Sequence, residues 1–452
     1  MRSIGRQWMF LSGIALLTVI TTSPRLAGEE RNRLRSEVVE ELARVEKHFL
    51  QSSDNAELRK KYATLLFETG DFWKAREIVR PLIKTSSDDL EVLQLGARLA
   101  YLAADYKTSE KIYQRIFDSA KKETKEYGKA LEGLALAYYQ TREFSKAKRL
   151  PAFQGLKSYL EMMKKFPGKP YRIKWGNKEK TSTVSYAIEG MLPTVQLTVN
   201  GRPLKFILDT GGDLFYIDKM IGQEIGLEIL AAQKATYAYT GGQENEEYLG
   251  RAEEVTLAQV TIENVPFILA EWKSRGVQSD GVLSTQALKE FLFTIDYAKS
   301  RMIFRERSEE GRKQFEVSVK GNDTVEIPFI LDGTHLMFAR GSLNNVGGLV
   351  FLVDSGLAAS MPFIAMDGLL KDLKIETIPI EGTKYSRFSI RSIGLGPLVK
   401  NEPAQGLAGV MVGGSSYWGR GFIWDGLISH QFLKNFSSWT IDFDSMKFIF
   451  VK

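Results

Sequence analysis

The chain has 452 residues, of which 44% are hydrophobic and 26% charged, and its formal net charge is +6. These values are typical of a globular protein of two or three domains, and they argue against large-scale disorder and against a basic nucleic-acid footprint. Cysteine is absent, which excludes disulfides, a thiolate nucleophile and a cysteine-ligated zinc.

The first 27 residues have the charged, then apolar, then small and polar order of a secretory signal peptide. Arg2 and Arg6 precede an apolar stretch from Met9 to Ile20, which is shorter than the ~20 residues that cross a bilayer. Removing this segment, with Arg25, lowers the net charge from +6 to +3. We expect an exported protein, periplasmic or secreted, and an uncleaved membrane anchor is the alternative.

Residues 30–165 are predicted to be helical, because apolar residues recur there at spacings of three and four. A turn-like hexapeptide occurs at 70–75, 104–109 and 142–147, at intervals of 34 and then 38 residues. The 34-residue interval resembles that of tetratricopeptide repeats, and a plain helical bundle is the alternative. Such repeats bind proteins on a concave surface, so we expect this domain to recruit a protein substrate or partner. We also expect residues 171–452 to fold and cleave short peptides without it.

A proline-containing linker precedes the second half, in which strands predominate. Pro151, Pro167 and Pro170 mark the linker, and from Thr181 onward β-branched and aromatic runs alternate with turn residues such as Asn200-Gly201. This part predicts two β lobes, residues 171–307 and 308–452.

The β-rich half contains an internal duplication with an offset of 145 residues. The sequence FILDTG at 206–211 returns as FLVDSG at 351–356, and DGVLS at 280–284 returns as DGLIS at 425–429. A lone Asp-Thr-Gly is a weak signal, because an ordinary turn accounts for it. A turn does not account for two copies at one offset, each ending an apolar strand on a carboxylate. The other repeated acids, such as Asp280 and Asp425, are interpreted as strand-end hydrogen-bonding residues.

This duplicated signature resembles the aspartic proteases of the pepsin and retropepsin fold, in which each lobe gives one D-[ST]-G loop. The resemblance covers about residues 180–452 and implies an all-β, two-lobed barrel. It implies a catalytic dyad of Asp209 and Asp354, lying over Gly281 and Gly426. It also implies support of the active-site loops by four residues: Thr210, Gly211, Ser355 and Gly356.

The resemblance further implies a flap over the cleft. A hairpin tip with two aromatic residues and a glycine suits that role, and the candidate substrate-binding residues are Tyr237, Tyr239 and Gly241. The glycine-rich segment 406–421 is a second candidate lining of the cleft. The chain departs from the family at Gly212 and Leu357, which follow the two triplets where the family usually has serine, threonine or alanine.

Two carboxyls within about 3 Å share one proton, so the ionised member can act as general base on a water molecule. We therefore predict an aspartic endopeptidase that takes a polypeptide substrate and needs no cofactor or metal. The only histidines, His48, His335 and His430, lack metal-ligand spacing. The alternatives are a non-catalytic peptide-binding or scaffold protein that keeps the fold, and an enzyme whose lobes pair between chains.

Overall fold

The computed structural model describes residues 33–452, apart from 86–87, 154, 190, 237–243, 272, 274–277, 358–360, 384, 410–417 and 419. The predicted signal segment lies outside the described residues. The rest divides into a helical part, residues 35–165, and a β-rich part, residues 172–451. Within the described range, none of the helices combines the length and apolarity needed to cross a membrane.

The helical part is a series of helices, each packed on its neighbour in sequence. Capping residues set where several of them begin, because the side chains of Asn55, Asp89 and Thr124 accept amide hydrogen bonds at the starts of the second, fourth and sixth helices. The helices are α1 (Arg35–Gln51), α2 (Ala56–Glu68), α3 (Phe72–Thr85), α4 (Leu90–Leu102), α5 (Tyr106–Ser119), α6 (Lys125–Gln140), α7 (Phe144–Ala147) and α8 (Lys157–Lys165).

The turns that follow α2, α4 and α6 share one backbone conformation. The second residue after each helix, Gly70, Ala104 or Arg142, has a φ value of 85°, 57° or 62°. In each turn the next amide bonds back to a carbonyl five residues earlier, at 2.8 to 2.9 Å. The hexapeptide repeat of the sequence is therefore a repeat of helix–turn–helix geometry.

The first lobe is a mainly antiparallel sheet with two parallel pairs. One joins the fifth and eighth strands, and the other joins the fourth and ninth strands, where Phe206 lies opposite Gly281. The elements are β1 (Arg172–Trp175), β2 (Thr181–Glu189), β3 (Leu192–Val199), β4 (Arg202–Asp209), β5 (Phe215–Asp218), α9 (Lys219–Glu224), β6 (Glu228–Thr236), β7 (Glu244–Leu257), β8 (Val260–Ala270), β9 (Gly281–Ser284), α10 (Thr285–Leu288), β10 (Phe291–Asp296) and β11 (Arg301–Glu306).

The second lobe repeats this plan. Phe351 lies opposite Gly426 in a parallel pair, so both partners are shifted by the 145 residues that separate the sequence copies. The elements are α11 (Glu309–Val319), β12 (Thr324–Asp332), β13 (Leu336–Leu343), β14 (Val346–Val353), β15 (Phe363–Ala365), α12 (Asp367–Asp372), β16 (Ile378–Pro379), β17 (Ser386–Ile390), β18 (Ile393–Leu395), β19 (Leu398–Lys400), β20 (Ala404–Ala408), β21 (Gly426–Ile428), α13 (His430–Leu433), β22 (Ser438–Asp442) and β23 (Lys447–Val451).

An antiparallel sheet connects the lobes, in the order β2-β11-β10-β22-β23-β12. At its centre β10 pairs with β22, and the hydroxyls of Thr294 and Thr440 lie 2.8 Å apart. The strands of both lobes come from one chain. The loop that follows Asp209 therefore meets the loop that follows Asp354 without a second molecule.

The helical part packs directly on both lobes. Arg35 of α1 forms a buried ion pair with Asp425 of the second lobe, at 2.6 Å. The rings of Phe67 and Phe72 pack on Phe422, and α8 lies against β6 and β7 of the first lobe. This contact does not support the expectation that residues 171–452 fold independently, because removing the helices would expose an apolar surface and leave Asp425 without its cationic partner.

Candidate active site

Asp209 and Asp354 follow two buried, apolar strands. β4 ends at Asp209, and β14 ends at Val353, immediately before Asp354. β4 pairs in parallel with β9, and β14 pairs in parallel with β21, in registers that differ by 145 residues. The ends of β4 and β14 therefore occupy equivalent positions in the two lobes. The two aspartates are 0% and 1% exposed, so both carboxyl groups are enclosed.

The glycine of each triplet lies against the opposite carboxyl group. A Cβ atom added to Gly211 would lie 2.5 Å from Oδ2 of Asp354, and one added to Gly356 would overlap the carboxyl carbon of Asp209. Only glycine fits at these two positions. The same contacts show that the two loops face each other with both carboxyls between them.

Thr210 and Ser355 connect the two loops. The hydroxyl of Ser355 accepts the amide of Thr210 at 3.0 Å, and the hydroxyl of Thr210 accepts the amide of Ser355 at 3.0 Å. Thr210 also donates its hydroxyl proton to the carbonyl of Val353, at 3.1 Å. The two side chains thus link the loops by crossed hydrogen bonds.

The electrostatics of the site favour one shared proton. Burial and the neighbouring charge of Asp354 raise the pKa of Asp209 well above its usual value. Burial raises the pKa of Asp354 to about 6, although the hydrogen bond from Asp209 and the amides of its own loop lower it. The Oδ1 atoms accept the amides of Gly211 and Gly356, at 2.7 and 2.9 Å, and neither Oδ2 has a donor from another described residue. A proton between the two Oδ2 atoms leaves one carboxyl as an acid and the other as a base.

The interpretation of Asp280 and Asp425 as strand-end hydrogen-bonding residues is confirmed. Each accepts the amide of the residue four positions before its catalytic aspartate, Lys205 at 2.8 Å and Val350 at 2.7 Å. Sequence reasoning missed that Asp425 also pairs with Arg35 of α1. Gly281 and Gly426 sit where a Cβ would collide with the ring of Phe206 or Phe363.

The two departures from the family pattern have packing reasons. A Cβ at Gly212 would lie 2.6 Å from Oγ of Ser284, so β9 leaves no room for a side chain at that position. Leu357 is 1% exposed and belongs to the apolar cluster that contains the core of the helical part. The helical part therefore contributes to the apolar cluster that buries the Leu357 side chain.

The flap candidates Tyr237, Tyr239 and Gly241 lie outside the described residues, between β6 and β7. The glycine-rich segment is described only in part: its start is the end of β20, and Trp418 donates its indole N–H to the carbonyl of Arg33 at 2.9 Å.

Two residues beside the dyad were missed. Asp213 and His335 come from different lobes, both are buried, and the His335 ring lies against the backbone of Gly211 and 4.0 Å from Oδ1 of Asp213. Burial lowers the pKa of His335, so the ring is neutral. A signal for Asp213 existed, because position 358, its counterpart in the second copy, is alanine. An asymmetry within a duplication points to a role outside the shared plan.

The remaining histidines are remote from the dyad: His48 is exposed on α1, and His430 is buried beside Tyr297. Across the described ranges, histidines and acidic residues form no group of three or more that could hold a metal ion.

Residues 195–287, which include Asp209 and most of the first lobe, match the family model of the aspartyl proteases. Among solved structures, a retropepsin-like aspartic protease from Rickettsia conorii is similar over 30% of this chain and 96% of its own, with 18% identity and a TM-score of 0.23. No curated protein matches the chain.

Proposed function

We propose that this protein is a single-chain aspartic endopeptidase that hydrolyses peptide bonds with a water molecule activated between Asp209 and Asp354. The observation that carries the proposal is the matched environment of two buried carboxyls. Each follows a strand of the same register, each is bound by the glycine amide of its own triplet, and each lies against the glycine of the other. The match of the first lobe to the aspartyl protease family supports the same reaction class.

Burial raises the pKa of both carboxyls, so the pair keeps one shared proton. The ionised member is the general base that takes a proton from water, and the water oxygen attacks the scissile carbonyl carbon. The protonated member donates its proton to the carbonyl oxygen as charge develops there. Thr210 and Ser355 keep the carboxyls in position, so little reorganisation is needed in the transition state.

We further propose that the helical part is a set of tetratricopeptide-like repeats and that the protein is exported. The 34-residue interval and the shared turn conformation support the first idea. The order of charge and hydropathy in residues 1–27 supports export. The protein is attached to a membrane only if this segment is not cleaved. Recruitment of a protein substrate or partner remains the role proposed for the surface of the helices that faces away from the lobes.

A non-catalytic peptide-binding protein that keeps the fold is the competing proposal. Both carboxyls are at most 1% exposed, so either proposal requires the site to open before a peptide reaches them. The two proposals separate on turnover and agree on binding.

A peptide-library digestion tests the proposed function. The purified protein is incubated with a mixed peptide library from about pH 3 to pH 8, and new termini are identified by mass spectrometry. Asp54→Asn, at an exposed position of the helical part, is the matched control for Asp209→Asn. We expect new termini with wild type and with the control, and none with Asp209→Asn. Binding without new termini at any pH would favour the competing proposal.

A further inference from the structure

The helical part packs on the side of the strands from which the catalytic carboxyls project. Side chains alternate along a strand, so Ile207 projects on the same side as Asp209, and Leu208 projects on the other. Ile207 belongs to the apolar cluster that contains the core of the helical part, whereas Leu208 belongs to the core of the lobes. Leu352 and Val353 divide between the clusters in the same way.

Tyr139, at the end of α6, reaches the residue that follows the first catalytic loop. Its hydroxyl donates to Oδ1 of Asp213 at 2.9 Å, in fully buried surroundings. Burial raises the pKa of Tyr139 well above its usual value, and the charge of Asp213 raises it further, so the phenol stays a donor. Tyr159 of α8 also faces Asp213. Burial raises the pKa of the Tyr159 phenol well above its usual value, and the charge of Asp213 raises it further. Side chains from two helices thus lie beside Asp213.

Buried hydrogen bonds and ion pairs hold the helical part on the lobes. Gln140 of α6 donates a side-chain hydrogen bond to the carbonyl of Thr334 in the second lobe, at 2.8 Å. Separating a buried ion pair leaves two charges without their partners, so such an interface does not open readily. Largely buried pairs join the two parts along its length: Arg35–Asp425, Arg98–Asp332 and Arg142–Glu290.

Polar atoms without partners collect where the helices meet the catalytic loop. Buried donors and acceptors are normally satisfied, so a cluster of exceptions marks a place where a ligand can complete the hydrogen bonds. Apart from the two Oδ2 atoms of the dyad, which share a proton, the buried side-chain atoms of the described residues that have no partner include Asp213 Oδ2, His335 Nε2, Ser284 Oγ and Tyr159 Oη. A peptide main chain, with alternating N–H and C=O groups, carries the donors and acceptors that this set lacks.

We propose that the helical part is a fixed wall of the catalytic cleft, in which Tyr139 positions Asp213 and Tyr159 lines the space for a bound peptide. This inference rests on the proposed peptidase function for its ligand, a peptide main chain, and on the contacts above for its geometry. Tyr139 is a positioning residue, because it acts through Asp213 and not on the reacting atoms. Asp213 Oδ2 remains free to accept an N–H group, from either an internal amide or a free amino terminus.

The experiment compares full-length Tyr139→Phe with Tyr138→Phe. Tyr138 is the adjacent residue on α6 and is also largely buried. Its charged neighbours all belong to the helical part: Glu110, Lys146, Glu143 and Arg149. The first readout is amide hydrogen exchange of residues 207–213, and the second is the affinity for a statine-containing hexapeptide, with its N-terminus free or acetylated. Loss of one hydrogen bond to a charged group should speed exchange and weaken binding by about tenfold in Tyr139→Phe, and should change neither in Tyr138→Phe.

Equal exchange and equal affinity in the two variants would overturn the proposal. Faster exchange in Tyr139→Phe, with no binding of the hexapeptide even to wild type, would keep the wall and refute the peptidase function. Tyr159→Phe removes a hydroxyl that faces Asp213 without the short hydrogen bond that Tyr139 makes, so it should fold even where Tyr139→Phe does not. It should weaken hexapeptide binding severalfold, and unchanged affinity would show that Tyr159 does not line the cleft. Tighter binding of the free amine than of the acetylated form would identify an amino terminus at Asp213, and equal binding an internal amide.

Discussion

Thr210 and Ser355, 145 residues apart, each accept the other's backbone amide at 3.0 Å across the boundary between the lobes. The pairing is not fully symmetric. Thr210 also donates to the carbonyl of Val353, and no matching donation by Ser355 to the first lobe occurs among the described residues. The two loops therefore behave as one rigid unit in which Thr210 makes the larger contribution.

Thr210→Val should lower both stability and turnover. Valine keeps the shape but leaves the Ser355 amide and the Val353 carbonyl without partners in a buried site, a cost of about 1–3 kcal/mol for each unsatisfied group. Thr210→Ser is the matched control, since it keeps the hydroxyl. Urea denaturation of the three proteins measures the effect. Equal midpoints for the valine and serine variants would show that the crossed hydrogen bonds contribute little.

The pH dependence of hydrolysis should reflect the raised pKa values of the dyad. The singly protonated pair is the active form, and burial raises the pKa of Asp354 to about 6 and that of Asp209 well above its usual value. These apparent values belong to the pair, not to either residue alone. We expect kcat/KM to fall below about pH 6, as the second carboxyl takes up a proton, with an optimum on the neutral side. A maximum near pH 3 would contradict this account.

Asp209→Asn should be more stable than wild type at neutral pH and not at acidic pH. The folded-state pKa of Asp209 is raised above the unfolded value of about 3.9, so the folded protein keeps a proton that the unfolded chain releases. The stability from this group is present below the unfolded pKa and is lost as pH rises through the folded pKa. Asparagine does not titrate, so the difference in Tm between variant and wild type should grow from about pH 4 to pH 8. A constant difference across that range would show that Asp209 is not perturbed by burial.

Arg35→Met should destabilise the whole chain and not only α1. It removes the cation from a pair whose side chains are 7% and 0% exposed, which leaves the Asp425 charge buried. The expected cost is about 3–5 kcal/mol. Arg33→Met is the matched control, because the Arg33 side chain in its pair with Glu41 is 40% exposed. If thermal unfolding shows two transitions with only the first one shifted in Arg35→Met, the helical part and the lobes unfold independently.

The repeated motifs carried most of the prediction of the dyad and of its supports. Asp209 and Asp354 came from matched triplets, and the resemblance placed them over Gly281 and Gly426. The structure pairs those glycines in parallel with the strands that lead to the two aspartates. The helical character of residues 30–165 was also predicted from apolar spacing. In each case a local pattern and its period sufficed.

The contact between the helical part and the lobes was not predicted, because nothing local to Tyr139 or Arg35 distinguishes them from other helix residues. Tyr139 sits in an alanine-rich helix where an aromatic residue suggests packing between helices. Its partner Asp213 is 74 positions away, and the partner of Arg35 is 390 positions away. Single-sequence patterns have a range of one or two turns or strands, so pairings at that separation remain invisible to them.

The loss of peptide hydrolysis in Asp209→Asn and Asp354→Asn, each measured beside wild type and Asp54→Asn, tests the central claim most directly. An amide keeps the shape of the carboxyl but can neither carry the shared proton nor act as base. General acid–base groups contribute about 10²–10⁴ apiece and the dyad works as a unit, so each variant should lose at least that factor in kcat while keeping a folded far-UV spectrum. Near-normal turnover in either folded variant would contradict the assignment of that aspartate to the dyad.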